Sequence, residues 1–403
     1  MGAVNCNGVT IHYRTVGRGE DVVLIHGLGT NRAFWHLDVL LSLGRKFRVT
    51  IYDLRGHGYS TMPPSGYTSA DMAADLHHLL DHLEIEKAHL VGHSLGGVIA
   101  LHYAALYPER VASLIVADAR VRSIQPTHYA RDWPQWRTVK KYLEQIGLFI
   151  PEDESEAGIW LMETLASPEW QQNRDKLKGS SLFVPFSKWG GGNSTAEKFL
   201  AMLHGTTARQ ELNLPAGLTM DRLAGVRQQT LLMYGENSPS LLSLHGLQRC
   251  LPACRSMVVP GAGHFFPLSR ARFFVAIAER FLDMVCSHER RMYERFPCRF
   301  LLGLREKGQE KFVTEVINVS AQGLLLKSAW ELEPGRDIEI ISDLSSAGDI
   351  LTAGKIVRAE NESEGGNLLG VELILHEDAG RQWKNFLAQQ TGTHLTDLFL
   401  EGM

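Results

Sequence analysis

Cysteine is scarce in this chain: five in 403 residues, at positions 6, 250, 254, 286 and 298, with no C-x-x-C pair. An odd number at scattered spacing excludes a disulfide scaffold. The two nearest, Cys250 and Cys254, could share a helix face but do not make a metal set, so no metal site is expected and the thiols read as reduced, in a cytoplasm. Long apolar runs are also missing; none approaches the roughly 18 residues of a membrane-spanning helix. Neither charge sign dominates: 41 Lys and Arg stand against 45 Asp and Glu, a formal net charge of −4. That balance gives no sign of DNA or RNA as a partner. The first residues, Met1-Gly-Ala-Val-Asn-Cys6, lack the basic start and apolar stretch of a secretion signal. Repeats and low-complexity tracts are absent. What is there is an ordinary globular composition, 44% hydrophobic and 21% charged, in a chain too long for one ordinary domain.

Two textures divide the chain near residues 285–290. Before that point, apolar runs alternate with helical patterns. A hairpin is expected where Asn7-Gly8 separates Val4–Cys6 from Val9–Arg14. Strands are expected at 21–25, 47–52, 88–91, 111–117, 230–234 and 256–259, and helices at 35–43, 70–83, 95–108, 241–250 and 269–286. Mostly apolar strands suit a parallel sheet buried on both faces. From 120 to 226 the alternation stops, and the tryptophan-rich, helical pattern there reads as an insertion. After Cys286, six short alternating runs (298–304, 312–319, 324–327, 337–341, 350–358 and 368–374) follow one another without helices between them, as in a small antiparallel barrel. A helix over 378–390 and a short tail over 395–400 close the chain.

The chemistry of the first part centres on Val91-Gly-His-Ser94-Leu-Gly-Gly-Val98, which lies between a strand and a helix. Small residues flank Ser94 as a tight strand-to-helix turn demands, the setting of a G-x-S-x-G nucleophile elbow. A serine hydroxyl is a weak nucleophile at neutral pH and needs a general base, an orienting acid and donors for the oxyanion. The base candidate is His264 in Pro260-Gly-Ala-Gly-His264, directly after the last strand of this part. The oxyanion donors are the backbone N–H groups of Leu95, next to the nucleophile, and of Leu28, in the glycine-rich loop Leu24-Ile-His-Gly-Leu-Gly29. The loop Asp53-Leu-Arg-Gly-His-Gly-Tyr-Ser60 reads as a structural network.

Over residues 1–286 these stretches together resemble the α/β-hydrolase superfamily, closest in flavour to its lid-bearing esterases and lactonases. The resemblance implies an α/β fold: a hydrolase sheet with a helical cap at about 120–226. Epoxide hydrolases and haloalkane dehalogenases carry an aspartate where Ser94 stands, which disfavours those activities. One departure concerns the acid. The family pattern G-E-x-D reads here as Gly235-Glu236-Asn237-Ser238, so a serine occupies the usual aspartate position. Asp118, at the end of the sixth strand, stands where some relatives place a relocated acid. The alternatives are Glu236, or no acid and a domain without catalysis.

In the second part, Arg291-Met-Tyr-Glu-Arg295 opens the barrel region and Asn318-Val-Ser320-Ala-Gln-Gly323 follows between two strands. The ordered pair, R-x-x-x-R then N-x-S-x-x-G, resembles the PilZ domain, a bacterial sensor of cyclic di-GMP, over about 288–390. The resemblance implies binding through Arg291, Arg295, Asn318, Ser320 and Gly323. The physics agrees: guanidinium forks match phosphate oxygens and the guanine O6/N7 edge, small polar side chains reach base edges, and glycine lets backbone approach. The whole is expected to be a cytoplasmic serine hydrolase (1–286) of ester or lactone substrates, regulated by cyclic di-GMP through a PilZ-like domain (287–403). No cofactor is expected for catalysis, while a protein partner or self-association is compatible with it. The alternative is a degenerate hydrolase scaffold that serves as a cyclic di-GMP-dependent binding effector.

Overall fold

A computed structural model of the chain describes residues 2–35, 37–173, 176, 193–286, 296–306, 312–320, 323–330, 332–341, 350–361 and 367–374. The expected C-terminal helix over 378–390 and the tail lie outside the described residues. The chain divides into two compact units, Met1–His288 and Glu289–Met403.

The first unit is built on an 8-stranded sheet of order β1-β2-β4-β3-β5-β6-β7-β8. Its strands are β1 (Gly2–Cys6), β2 (Val9–Val16), β3 (Asp21–Ile25), β4 (Arg48–Tyr52), β5 (Ala88–His93), β6 (Val111–Ala117), β7 (Gln229–Gly235) and β8 (Cys254–Val259). β1 and β2 form the expected hairpin, with Asn7 and Gly8 both at positive φ (50° and 86°), as its two-residue turn requires. From β4 to β8 all neighbouring strands run parallel. Alternation along them feeds two cores. Val23, Ile25, Leu90 and Leu114 pack on one face with α2 (Ser69–His82) and α3 (Leu95–Leu106), while Val22, Leu24, Val91 and Ile115 pack on the other with α1 (Leu37–Leu43) and the last helix of the unit.

Helix α2 starts at a reciprocal capping box between Thr68 and Asp71. Between β6 and β7 come the helices of the insertion: α4 (Trp136–Gln145), α5 (Ala157–Ala166), α6 (Pro168–Gln172), α7 (Asn193–Gly205), α8 (Ala208–Glu211) and α9 (Met220–Ala224). α10 (Leu241–Cys250) joins β7 to β8. Two helices expected from periodicity differ at their starts. The one over 35–43 is a 3-10 turn, Arg32–Trp35, followed by α1, and Asn31 Oδ1 accepts the Ala33 N–H (2.8 Å) at the start of that turn. The one over 269–286 is α12 (Ala271–Cys286), which starts two residues later than expected because the short α11 (Phe266–Ser269), with Pro267 in its first turn, ends at Ser269.

The second unit is a closed antiparallel barrel of order β10-β11-β14-β13-β12-β9. Its strands are β9 (Phe296–Glu306), β10 (Phe312–Ser320), β11 (Gly323–Ser328), β12 (Asp337–Ile341), β13 (Ile350–Asn361) and β14 (Asn367–Ile374). Alternate residues, among them Leu302, Leu304, Leu324, Leu326, Leu369 and Val371, fill its interior. A bulge in β10 between Val316 and Asn318 shifts the register on both sides of that strand. Among the described residues of the chain, no helix is long and apolar enough to cross a membrane.

Candidate active site

β5 ends in the elbow Gly92-His93-Ser94-Leu95-Gly96, two residues beyond the stretch its apolar run suggested. Ser94 sits at φ 54°, ψ −120°, a region costly for a residue with a side chain. Glycine is obligatory around it. A Cβ on Gly92 would lie 2.2 Å from Gly96 O, and one on Gly96 would lie 2.2 Å from Ile25 O. The Ser94 N–H is tied to Ala117 O (2.9 Å), and α3 begins at Leu95.

His264, in the loop between β8 and α11, reaches Ser94 Oγ with Nε2 (3.1 Å) and Asp118 Oδ1 with Nδ1 (2.7 Å). With Nδ1–H donating to the carboxylate, Nε2 is left to accept the serine proton. Asp118 is fully buried at the end of β6 with φ 56°, and its N–H donates to Met233 O (2.8 Å). Its carboxylate collects further donors: the Gly235 N–H on Oδ2 (2.8 Å) and the Ser238 hydroxyl on Oδ1. Ser238, at the position where the family pattern has its acid, is thus a donor to Asp118. Its oxygen in turn accepts the Ser240 N–H (3.0 Å). Glu236 is engaged elsewhere: its Oε2 accepts the Gly261 N–H (2.6 Å). Ser94, His264 and Asp118 are brought together, and Glu236 braces the loop that carries His264.

The loop holding Leu28 is fixed by two buried histidines. His26 Nε2 accepts the Leu54 N–H (3.1 Å), so its proton is on Nδ1, which donates to Gly27 O (2.8 Å). His57 Nε2 accepts the Gly29 N–H (3.2 Å), and its Nδ1–H donates to Arg55 O (2.9 Å). Burial lowers His26 to about 4 and His57 to about 3, so both rings are neutral at pH 7. Asp53 completes the brace by accepting the backbone N–H groups of Arg32 (2.8 Å) and Tyr59 (3.0 Å). Gly27 O and Gly29 N are therefore tied back. Gly27 lies against Ser94, where a Cβ would be 3.0 Å from Ser94 Cβ. Among the described residues neither the Leu28 N–H nor the Leu95 N–H has a protein acceptor, and both residues line the cavity above Ser94.

That cavity measures about 630 Å³. Its floor is the elbow, the Leu28 loop and His264; its walls include Trp133, Val139, Ile159, Met162 and Leu212 from the insertion. Arg120 and Arg122 line one side, both paired with Glu156.

Two histidines escaped sequence reasoning. His93, fully buried, stacks on Phe34 (4.6 Å) and donates from Nε2 to the His264 carbonyl (2.9 Å), which fixes the backbone of His264. Its place inside the elbow was the only signal. His128 lies on the cavity wall beside Trp133, with a buried Nε2 that has no partner among the described residues and a pKa pushed well down by burial. Nothing in its sequence surroundings marks it.

In the barrel, Asn318 follows the bulge in β10 and pairs with Leu325, and Ser320 pairs with Gly323 where β10 turns to β11. Arg291 and Arg295 lie outside the described residues, as does the side chain of Ser320.

The alpha/beta hydrolase fold family matches residues 22–146, and the PilZ domain family matches residues 289–389. The chain is 42% identical over 113 residues to "Putative carbamate hydrolase RutD" of Pantoea ananatis, which covers 27% of this chain and 41% of that protein. It is 36% identical over 114 residues to epoxide hydrolase 3 of Siraitia grosvenorii, covering 28% of this chain and 36% of that one. The chain thus spans less than half the length of these curated relatives. Among solved structures, a bacterial membrane phospholipase A aligns with TM-score 0.55 at 22% identity, over 71% of this chain and 86% of the other. Residues 22–146 belong to the α/β-hydrolase fold family and residues 289–389 to the PilZ family, so the chain is a fusion of the two.

Proposed function

We propose that the first unit is a serine hydrolase of carboxylic esters or lactones, and that the PilZ domain places it under cyclic di-GMP. The observation that carries the catalytic reading is the unbroken relay from Ser94 Oγ through His264 to buried Asp118, at 3.1 and 2.7 Å. Ser94 Oγ attacks the acyl carbon as its proton passes to His264 Nε2. The developing oxyanion meets the Leu28 and Leu95 N–H groups, and Asp118 balances the imidazolium. His264 then protonates the leaving alcohol oxygen, which breaks the ester bond and leaves an acyl group on Ser94. A water activated by the same histidine releases the acid. The largely apolar cavity walls favour an uncharged acyl or lactone portion of moderate size. The degenerate-scaffold alternative rested on Ser238, and Asp118 standing against His264 favours catalysis.

Cyclic di-GMP binding rests on the two arginines, Arg291 and Arg295, and on Asn318, Ser320 and Gly323 at the β10–β11 turn, following the PilZ pattern. A fluorophosphonate probe is expected to label the wild-type protein and to spare Ser94→Ala, with turnover of small activated esters lost in parallel. Well-folded wild-type protein that resists the probe would remove the catalytic reading.

A further inference from the structure

Away from the cavity, three side chains from distant parts of the sequence converge at the other end of the central strands. His89 lies at the start of β5, opposite in strand direction to Ser94. Glu20 immediately precedes β3, and Cys286 is the last residue of α12. Their ligand atoms lie within 4.8 Å of one another. His89 Nε2 is 3.0 Å from Glu20 Oε2 and 3.4 Å from Cys286 Sγ. We propose that Glu20, His89 and Cys286 form a binding site for a divalent transition metal, with Zn²⁺ the best match.

The spacing suits a metal. Tetrahedral zinc with Zn–N and Zn–O near 2.0–2.1 Å and Zn–S near 2.3 Å sets N to O at about 3.4 Å and N to S at about 3.6 Å. The observed separations differ from these by a few tenths of an ångström, within reach of a rotamer adjustment. The donor set, one imidazole, one thiolate and one carboxylate, is the mixed hard and soft set that zinc accepts. His89 also has the support metal-binding histidines need: its Nδ1 bonds Ser113 Oγ (2.8 Å), its strand neighbour on β6, and this turns Nε2 toward the other two donors. The His89 ring is buried, its side chain 4% exposed, while Glu20 is half exposed at 52%, so water has access to a fourth position.

Without a metal the three groups pair among themselves: the ring nitrogen and the Cys286 thiol each hold a proton, and burial together with the bond to Glu20 pushes that thiol up to about 12. A metal ion satisfies all three donors together, and the thiol proton leaves to solvent when the sulfur binds. The ion would also fasten the end of α12 to the start of β5, in the middle of the sheet.

The test uses the full chain, stripped of metal with a chelator and titrated with Co²⁺ and, against a chromophoric competitor, with Zn²⁺. One equivalent per chain is expected, and the cobalt form should show the near-ultraviolet thiolate charge-transfer band. Cys286→Ser should lose the band and bind zinc at least tenfold more weakly, while Ser113→Ala should cost roughly tenfold by freeing the His89 ring to turn. The exposed change Glu20→Gln should weaken zinc with an unchanged circular dichroism spectrum, which guards against a folding artefact. A metal-free chain that takes up no competitor-resistant equivalent overturns the proposal. So does a cobalt band that survives Cys286→Ser, or one that disappears in Cys250→Ser/Cys254→Ser.

Discussion

Asp118 and Ser238 share one site: the position where the family pattern has its acid carries Ser238, which has no charge to hold an imidazolium, and its hydroxyl bonds the Asp118 carboxylate that lies against His264 Nδ1. The residues were visible in the sequence: the aspartate ends an apolar strand and the serine interrupts a family pattern. Their partnership was not, because the contact joins positions 120 apart and depends on where two neighbouring strands, β6 and β7, end. Asp118→Asn should lower kcat on the order of 10⁴-fold, the cost of the wrong imidazole tautomer in serine proteases, while Glu236→Gln changes it little. Steady-state ester kinetics on the two variants decide it, and the opposite ranking would move the acid to Glu236. Ser238→Ala removes one buried donor from an ionised group and should cost about 1.5–3 kcal/mol of stability in urea unfolding, with a smaller loss of kcat than Asp118→Asn.

At the scale of elements, strands were the most legible feature, because central parallel strands are apolar on both faces and bounded by turn residues. β6 falls on its expected bounds, and the elbow follows from glycines whose absent Cβ atoms leave room for backbone. Helix ends were less legible. The break between α11 and α12 at Arg270 interrupts a continuous apolar stripe, and periodicity does not register such breaks. The loop around Leu28 was identified by its glycines, but the two histidines that hold it were not, since their hydrogen bonds cross from residues 26–29 to residues 54–57. Those rings make a prediction. Their values of about 4 and about 3 in the folded chain lie below the free value of 6.5. The unfolded chain therefore binds protons first as pH falls, so this stability is complete above about pH 6.5 and is lost between there and about pH 3. At about pH 5 each ring costs on the order of 2 kcal/mol. Urea midpoints should drop between about pH 7.5 and about pH 5, and the drop should be smaller in His57→Gln. An equal drop in both proteins would show that the pair does not govern acid stability.

At the scale of the whole molecule, the change in texture after Cys286 was enough to separate a βα alternation from a run of short strands. The run of short strands also pointed to the small antiparallel barrel that is found; the strand order was not in the pattern, since it depends on β9 pairing with both β10 and β12 across the sequence. Under the proposed function, one unit of the fusion reads a signal and the other is the candidate for its output. Residues 287–290 alone separate the end of α12 from Arg291. With so little chain between them, a nucleotide held by the two arginines has a short path to a helix that begins seven residues after His264. A ligand changes hydrolysis only to the extent that it prefers one state of the chain over another, and such couplings are typically about 1–3 kcal/mol. Calorimetry should therefore show cyclic di-GMP binding by the wild-type chain and none by Arg291→Ala/Arg295→Ala. Ester turnover should change several-fold in kcat or KM on addition of the nucleotide, and the double variant should keep the unliganded rate throughout. No binding by the wild type would remove cyclic di-GMP as the ligand. Binding that leaves both kinetic constants unchanged would show that the two units work independently, and the nucleotide signal would then have to be read by a surface other than the Ser94 cavity.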